Sequence, residues 1–251
     1  GIRSLEPDDQ TIAAPGVPAG GRVNTACALV LCVSFLSLSS GSVRWIPPEL
    51  PPFVRMIFAM IPTQGGLLLA ATLPYLLSRR PFREAWGDLG LRKLSKREVV
   101  RILKLSPLLF FVVMLVSTIL TQCAKFCGVE NPDQPLIRLA LHADSATFLV
   151  IALSAVLIAP VVEELAFRRT VFEALHRVLP LNTAAAGASL IFALIHAALW
   201  QTPALFLLAF LFQQEYIRSA GKTTSTILMH GIYNLITVLC LTAVRIHGGG
   251  I

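Results

Sequence analysis

Apolar stretches separated by short polar segments recur along the whole chain. Seven of them approach or exceed the length of a membrane-spanning helix: residues 25–38, 53–77, 105–120, 146–162, 183–200, 204–216 and 225–244. About 20 consecutive apolar residues cross the hydrocarbon core of a bilayer as an α-helix. The pattern therefore predicts an all-α fold, a polytopic transmembrane helical bundle of about seven or eight membrane helices. The shorter stretches would have to tilt, extend or follow a re-entrant path.

The composition supports a membrane protein. The chain has 251 residues, of which 55% are hydrophobic and 14% are charged, whereas soluble domains carry about 25% charged residues. We expect residues 1–23, with their prolines, glycines and aspartates, to form a disordered N-terminal tail. Residues 24–247 are expected to form one membrane domain whose C-terminal half, 146–240, carries the chemistry.

Basic residues cluster between the second and third apolar stretches. They are Arg79, Arg80, Arg83, Arg92, Lys93, Lys96, Arg97, Arg101 and Lys104. Because Lys and Arg are enriched in cytoplasmic loops, this segment is predicted to be cytoplasmic and the segment around residues 123–127 to lie outside. The flanking spans and the lack of interleaved aromatic residues argue against nucleic-acid binding. The expected partner of the basic segment is the lipid bilayer surface.

A helix start is predicted inside the basic segment. Ser95 is followed three residues later by Glu98, which is the pattern of a capping box. We expect a surface helix to begin there and to run into the third apolar stretch.

Two adjacent glutamates, Glu163 and Glu164, follow the fourth apolar stretch. An ionisable side chain in a membrane helix costs roughly 2.5–3.5 kcal/mol on insertion scales, so such residues are usually functional. Glu164 and Arg168 are i,i+4 neighbours that can pair, whereas Glu163 projects about 100° away around the helix. This spacing favours one glutamate held ionised by Arg168 and the other free to act on a water. A helix end with solvated acids is the alternative.

Two later apolar stretches carry histidines. Phe192 precedes His196 by one helical turn and is expected to pack on the imidazole, and His230 and Asn234 share one helix face at i,i+4 spacing. Histidine can donate, accept or bind metal, and asparagine amides can stabilise an oxyanion. Each motif alone could be a polar contact between helices. Together with the glutamates, on three apolar helices, they predict an active site inside the membrane.

The depth of this site has two interpretations. The glutamates are expected near the cytoplasmic end of their helix, while His196 lies about thirteen residues, roughly 20 Å, into the fifth stretch. Either the fifth helix begins shallow or the fourth helix runs deeper than residue 162.

Other hydrolase chemistries fit the sequence less well. The chain has no His-Glu-x-x-His pair for a zinc protease and no phosphate-binding loop. It also has no Gly-x-Ser-x-Gly nucleophile elbow, and Ser189, seven residues before His196, is a weak nucleophile candidate.

The three motifs resemble those of a known family. Glu163-Glu164-x-x-x-Arg168, Phe192-x-x-x-His196 and His230-x-x-x-Asn234 are similar to the signature motifs of the CAAX-protease-and-bacteriocin-processing (CPBP, or Abi) family, which includes the type II CAAX prenyl endopeptidases. The likeness covers about residues 146–240 and the preceding segment Leu89-Gly90-Leu91-Arg92. It implies an intramembrane endopeptidase in which Glu163 activates water and Glu164 and Arg168 support it. By the same resemblance, His196, His230 and Asn234 bind a metal or stabilise the oxyanion.

The chain departs from the family pattern at several positions. Arg169 stands where glycine is common, Gln213, Gln214 and Glu215 replace small residues, and Lys222-Thr223-Thr224 replaces a polar-apolar-aromatic run. These changes weaken the transfer of substrate identity rather than of activity.

We therefore expect an integral, multi-pass protease of the bacterial plasma membrane, acting on a membrane-associated protein or peptide with its glutamate pair toward the cytoplasm. A zinc ion held by Glu163, His196 and His230 could assist, or the glutamate could act as base without metal. The competing hypotheses are a non-catalytic membrane scaffold or immunity protein, and an ion-coupled transporter, since buried acids also mark ion paths. The lack of paired hydropathy repeats counts against the transporter.

Overall fold

The structure, a computed structural model, describes residues 45–77, 86–130 and 132–248. Within these ranges every regular element is helical, which confirms the all-α class. The helices are α1 (Pro52–Leu77), α2 (Lys96–Phe126), α3 (Pro135–His142), α4 (Ser145–His176), α5 (Leu181–Leu194), α6 (Thr202–Arg218) and α7 (Thr223–His247). One 3-10 turn, Leu199–Gln201, precedes α6.

Four of the described helices are long and apolar enough to cross a membrane: Pro52–Leu73 of α1, α2, α4 and α7. Helices α5 and α6, with 14 and 17 residues, are shorter. A polytopic helical membrane protein is thus supported, while the count of seven or eight membrane helices stays a prediction. The tail 1–23, the predicted span 25–38, and Arg79, Arg80 and Arg83 lie outside the described residues.

Helix α2 begins at the predicted capping box. The Ser95 hydroxyl accepts from the Glu98 N–H at 3.3 Å, and the Glu98 carboxylate accepts from the Ser95 N–H at 2.7 Å. These reciprocal bonds satisfy two backbone donors that a helix start would otherwise leave unpaired. The helix then continues without a break from the basic segment to Phe126.

Helix α4 runs much further than its hydropathy predicts. The apolar stretch ends at residue 162, but the helix continues to His176 because its charged side chains pair within the protein. Glu164 lies 3.0 Å from Arg168, and Arg169 pairs with Glu173. Glu163 is therefore near the middle of α4, and the prediction that the glutamate pair lies near the end of its helix is wrong.

The continuation of α4 resolves the depth of the site. Glu163 lies thirteen residues before His176, roughly 20 Å along the helix. His196 is at a similar distance from the start of α5 at Leu181. Since α4 ends and α5 begins on either side of one short turn, the glutamates and His196 reach the same depth.

Proline interrupts the hydrogen-bond ladder of α4. Pro160 has no N–H to donate, and residues Ser154–Ile158 just before it form a π-helical turn. The Ala159 N–H bonds to the Ser154 carbonyl, so the Ala155 carbonyl has no helical donor. A second π-helical stretch, Leu165–Phe172, follows the glutamates. Single π-turns within α-helices are frequent at functional sites.

Helix α5 ends earlier than predicted. The apolar pattern extends to residue 200, yet the helix stops at Leu194. Ala197 then adopts the left-handed region with φ 50°, which is uncommon for a residue with a Cβ. His196 therefore sits in a turn after the helix and not in mid-helix, as the sequence predicted.

The Leu89–Arg92 segment fixes the start of α7. Gly90 has φ 72°, and a Cβ there would lie 2.5 Å from the Gly221 carbonyl oxygen. The buried Thr223 hydroxyl donates to the Leu89 carbonyl at 2.7 Å, and Arg92 donates to the Ala220 carbonyl at 2.9 Å. Thr223, one of the departures from the family pattern, thus serves to dock the helix that carries His230.

Candidate active site

A cavity of about 630 Å³ lies between α1, α2, α3, α4, α6 and α7, with the turn after α5 closing one wall. Most of its surface is apolar. Glu163, His196, His230 and Asn234 all line it, although they come from three separated parts of the chain. Glu164 and Arg168 are fully buried behind this wall.

His230 connects the two glutamates. Its Nδ1 lies 3.0 Å from Glu164 Oε1, and its Nε2 lies 3.9 Å from Glu163 Oε2. A carboxylate only accepts hydrogen bonds, so the proton between His230 and Glu164 belongs to Nδ1 of the imidazole. Neutral His230 then presents the lone pair of Nε2 to the cavity beside Glu163. The adjacent glutamates consequently have different environments, as their helical spacing predicts.

Arg168 supports Glu164 from the buried side. Its Nε lies 3.0 Å from Glu164 Oε2, and neither side chain is exposed. The guanidinium carbon lies 5.3 Å from the Phe192 ring centroid and 5.7 Å from that of Phe212. Both Nη atoms lack a hydrogen-bond partner among the described residues. Ion pairing and the aromatic faces are therefore what compensates this buried cation.

His196 is oriented by its own chain. Its Nδ1 lies 2.7 Å from the Phe192 carbonyl oxygen, and its ring centroid is 4.7 Å from that of Phe192. Since a carbonyl only accepts, Nδ1 carries a proton and the neutral ring has its lone pair on Nε2. The predicted packing of Phe192 on this imidazole is present.

Asn234 bonds to the interrupted ladder of α4. Its Nδ2 donates to the Ala155 carbonyl at 2.7 Å, the acceptor that Pro160 and the π-turn leave free. A Cβ on Gly231 would lie 3.3 Å from the Val156 carbonyl oxygen, so α7 passes close to the backbone of α4 here. One amide hydrogen of Asn234 is thereby used for positioning, and one remains for the cavity.

The three predicted metal ligands, Glu163, His196 and His230, line one cavity. Both histidines donate one ring N–H to a carboxylate or carbonyl and keep the other nitrogen free, as metal-binding histidines usually do. However, the described residues contain no group of three His, Cys, Asp or Glu side chains placed to hold a metal ion. Zinc binding by Glu163, His196 and His230 therefore stays a prediction that no described cluster supports.

Several residues at the site were not singled out from the sequence. Phe212 lies 4.9 Å from the His230 ring, and the fully buried Thr226 lies beside Glu164. Their side chains look like ordinary helix-packing residues in the sequence. Thr226, four residues before His230, is on the same helix face, which is the one signal that could have identified it.

Comparison with known families supports the resemblance. Residues 145–236 match the family described as type II CAAX prenyl endopeptidase Rce1-like. The matched segment makes up just over a third of the chain. It contains α4, α5, α6 and the first half of α7, and so all seven named residues of the three motifs. Neither curated proteins nor solved structures gave a match to the chain.

Proposed function

We propose that the chain is an intramembrane endopeptidase that hydrolyses a peptide bond of a membrane-associated protein or peptide. The observation that carries the proposal is the pairing of Glu163 with His230 at the cavity wall. Their facing atoms are 3.9 Å apart, beyond a direct hydrogen bond but suited to a bridging water. The family of residues 145–236 supports the same activity.

In the proposed reaction, a single water donates one hydrogen bond to Glu163 and a second hydrogen bond to Nε2 of His230. Its lone pair then points away from both and attacks the carbonyl carbon of the scissile bond. Glu163 takes the proton as general base and afterwards gives it to the leaving amine. Glu164 keeps His230 in the required tautomer through its bond to Nδ1.

The developing oxyanion needs a donor. Asn234 offers its second amide hydrogen while the first holds it to α4. His196 in its neutral tautomer has no donor on Nε2, so it would serve only as an imidazolium. No step is routed through a metal, because the three predicted ligands do not form a cluster.

The test is the Glu163→Gln variant with a labelled single-span peptide in proteoliposomes, offered with and without a C-terminal prenylcysteine. Loss of a general base is expected to lower the cleavage rate by about 10²–10⁴-fold. The exposed Glu130→Gln change is the matched control and should leave the rate unaltered. Cleavage by folded Glu163→Gln protein at the wild-type rate would refute the mechanism.

A further inference from the structure

A second polar group lines the same cavity. Ser117 on α2 donates to Gln201 Oε1 at 2.7 Å, and Gln201 Nε2 donates to the Thr121 hydroxyl at 2.9 Å. Thr121 in turn donates to Asp133 Oδ1 at 3.2 Å. Ser117, Gln201 and Asp133 are all on the cavity wall, and the Gln201 residue is only 2% exposed.

The three hydrogen bonds all run in the same direction, from Ser117 through Gln201 and Thr121 to Asp133. Hydrogen bonds arranged in this way polarise one another, and the Asp133 carboxylate is the final acceptor of the series. Thr121 bonds to Oδ1 only, and no described residue donates to Oδ2 or forms an ion pair with Asp133. Asp133 is half-buried and lines the cavity, so its carboxylate is within reach of a group that enters the cavity.

The charges on the wall indicate which group would enter. Among the described residues that line the cavity, Asp133 and Glu163 are the carboxylates, and none is Lys or Arg. An ionised carboxylate in apolar surroundings is costly unless it is paired. Glu163 has His230 beside it, whereas the partner of Asp133 within the described part of the chain is the neutral Thr121 hydroxyl. A cation is therefore the complementary partner for Asp133.

We propose that Asp133 forms a subsite for a positively charged group of the substrate, a lysine or arginine side chain or a free α-amine. The cavity would hold this group at Asp133 while Glu163 acts on the peptide bond. Gln201, fixed by Ser117 and Thr121, keeps one amide hydrogen and one lone pair for the adjoining peptide backbone. This inference rests on the proposed function and assigns the class of residue that the protease selects.

The experiment compares peptides that differ at one position. A single-span peptide is made with lysine, norleucine or glutamate at each position around its cleavage site. At one position lysine is expected to give a kcat/KM at least about tenfold above norleucine, since hydrogen bonds to charged groups are the stronger ones. Glutamate should fall below norleucine there. The Asp133→Asn variant should bring the lysine-to-norleucine ratio to about one.

Two controls define the ligand. Asp144→Asn removes a carboxylate that is outside the cavity wall and should keep the ratio. N-terminal acetylation of the peptide distinguishes the sources of charge: if it abolishes the preference while exchange of lysine does not, the ligand is the α-amine. If Asp133→Asn does not fold, the order lysine, norleucine, glutamate in the wild-type protein still decides the question.

Binding separates this inference from the proposed function. Affinities of the lysine and norleucine peptides are measured on Glu163→Gln protein with and without Asp133→Asn. A lysine preference that disappears with Asp133→Asn supports the subsite even if no peptide is cleaved, in which case the protease proposal fails alone. Equal binding and equal cleavage of the lysine and norleucine peptides by active wild-type protein would overturn the subsite alone.

Discussion

Replacing Arg168 by methionine tests the buried ion pair that supports the candidate active site. Methionine keeps much of the side-chain length and can pack between Phe192 and Phe212, so the change removes mainly the charge. Glu164 would then be a fully buried carboxylate whose remaining partners are the neutral or titratable side chains of His230 and Thr226. Breaking one side of a buried pair typically costs about 3–5 kcal/mol, because an uncompensated charge is left in the interior.

The loss of stability on breaking an ion pair depends on how exposed the pair is to solvent, and a second ion pair of this protein provides a matched comparison. Lys222 pairs with Glu98 at 2.7 Å, but these side chains are 25% and 18% exposed. Lys222→Met is expected to cost no more than about 1 kcal/mol, as partly solvated pairs do. Thermal and denaturant unfolding of purified protein in one detergent, followed by tryptophan fluorescence, would rank the two variants.

The double variant Glu164→Gln with Arg168→Met completes the cycle. Glutamine keeps an oxygen that can accept the His230 N–H, and no net charge remains buried, so much of the lost stability should return. If Arg168→Met costs no more than Lys222→Met, or if the double variant is as unstable as the sum of the single ones, the carboxylate is not held ionised by Arg168 and the reasoning fails.

Four further results are expected. Asn234→Ala should lower the free energy of unfolding by about 1–3 kcal/mol, because the Ala155 carbonyl loses its donor. Thr237→Ala removes a bond within one helix and should lower it by less. Equal losses in the two variants would contradict the role of Asn234 as the donor to α4. Asp144 caps α4, and its bonds to the Thr147 hydroxyl and to backbone N–H groups lower its pKa. The stabilisation by Asp144 is thus complete above its unfolded pKa of about 3.9 and is lost as the pH falls through the lower folded pKa. In unfolding titrations, the stability difference between the wild-type protein and Asp144→Ala should therefore shrink only below about pH 4. A loss of this difference near neutral pH would contradict the prediction. Cleavage should survive chelation, with no zinc found by mass spectrometry; loss of cleavage that zinc restores would show that the glutamate and histidines close on a metal. An impermeant maleimide should not label Lys93→Cys from outside intact cells, and labelling there would reverse the predicted orientation.

The helical class follows from the sequence alone, and the sequence also singles out four candidate residues that line one cavity in the structure. Long apolar stretches admit few structures other than membrane helices, because every backbone polar group must be paired in lipid. The spacing of Glu164 and Arg168 at i,i+4 determines that they can meet, and the capping box at Ser95 determines where α2 begins. These features are local, so they depend on residues within one or two helical turns.

Only the tertiary structure decided where the helices end and which groups meet. The hydropathy pattern predicts that α4 ends at residue 162, because Glu163, Glu164 and Arg168 are polar. It contains no information on the partners that these side chains find inside the protein. The turn at His196 depends on a left-handed Ala197 that no sequence pattern marks. Asn234 bonds to the carbonyl of Ala155, which is 79 positions away in the sequence. Asp133 bonds to Thr121, which is 12 positions away. Such contacts are set by how the helices pack against one another, which the local periodicity of the chain does not encode.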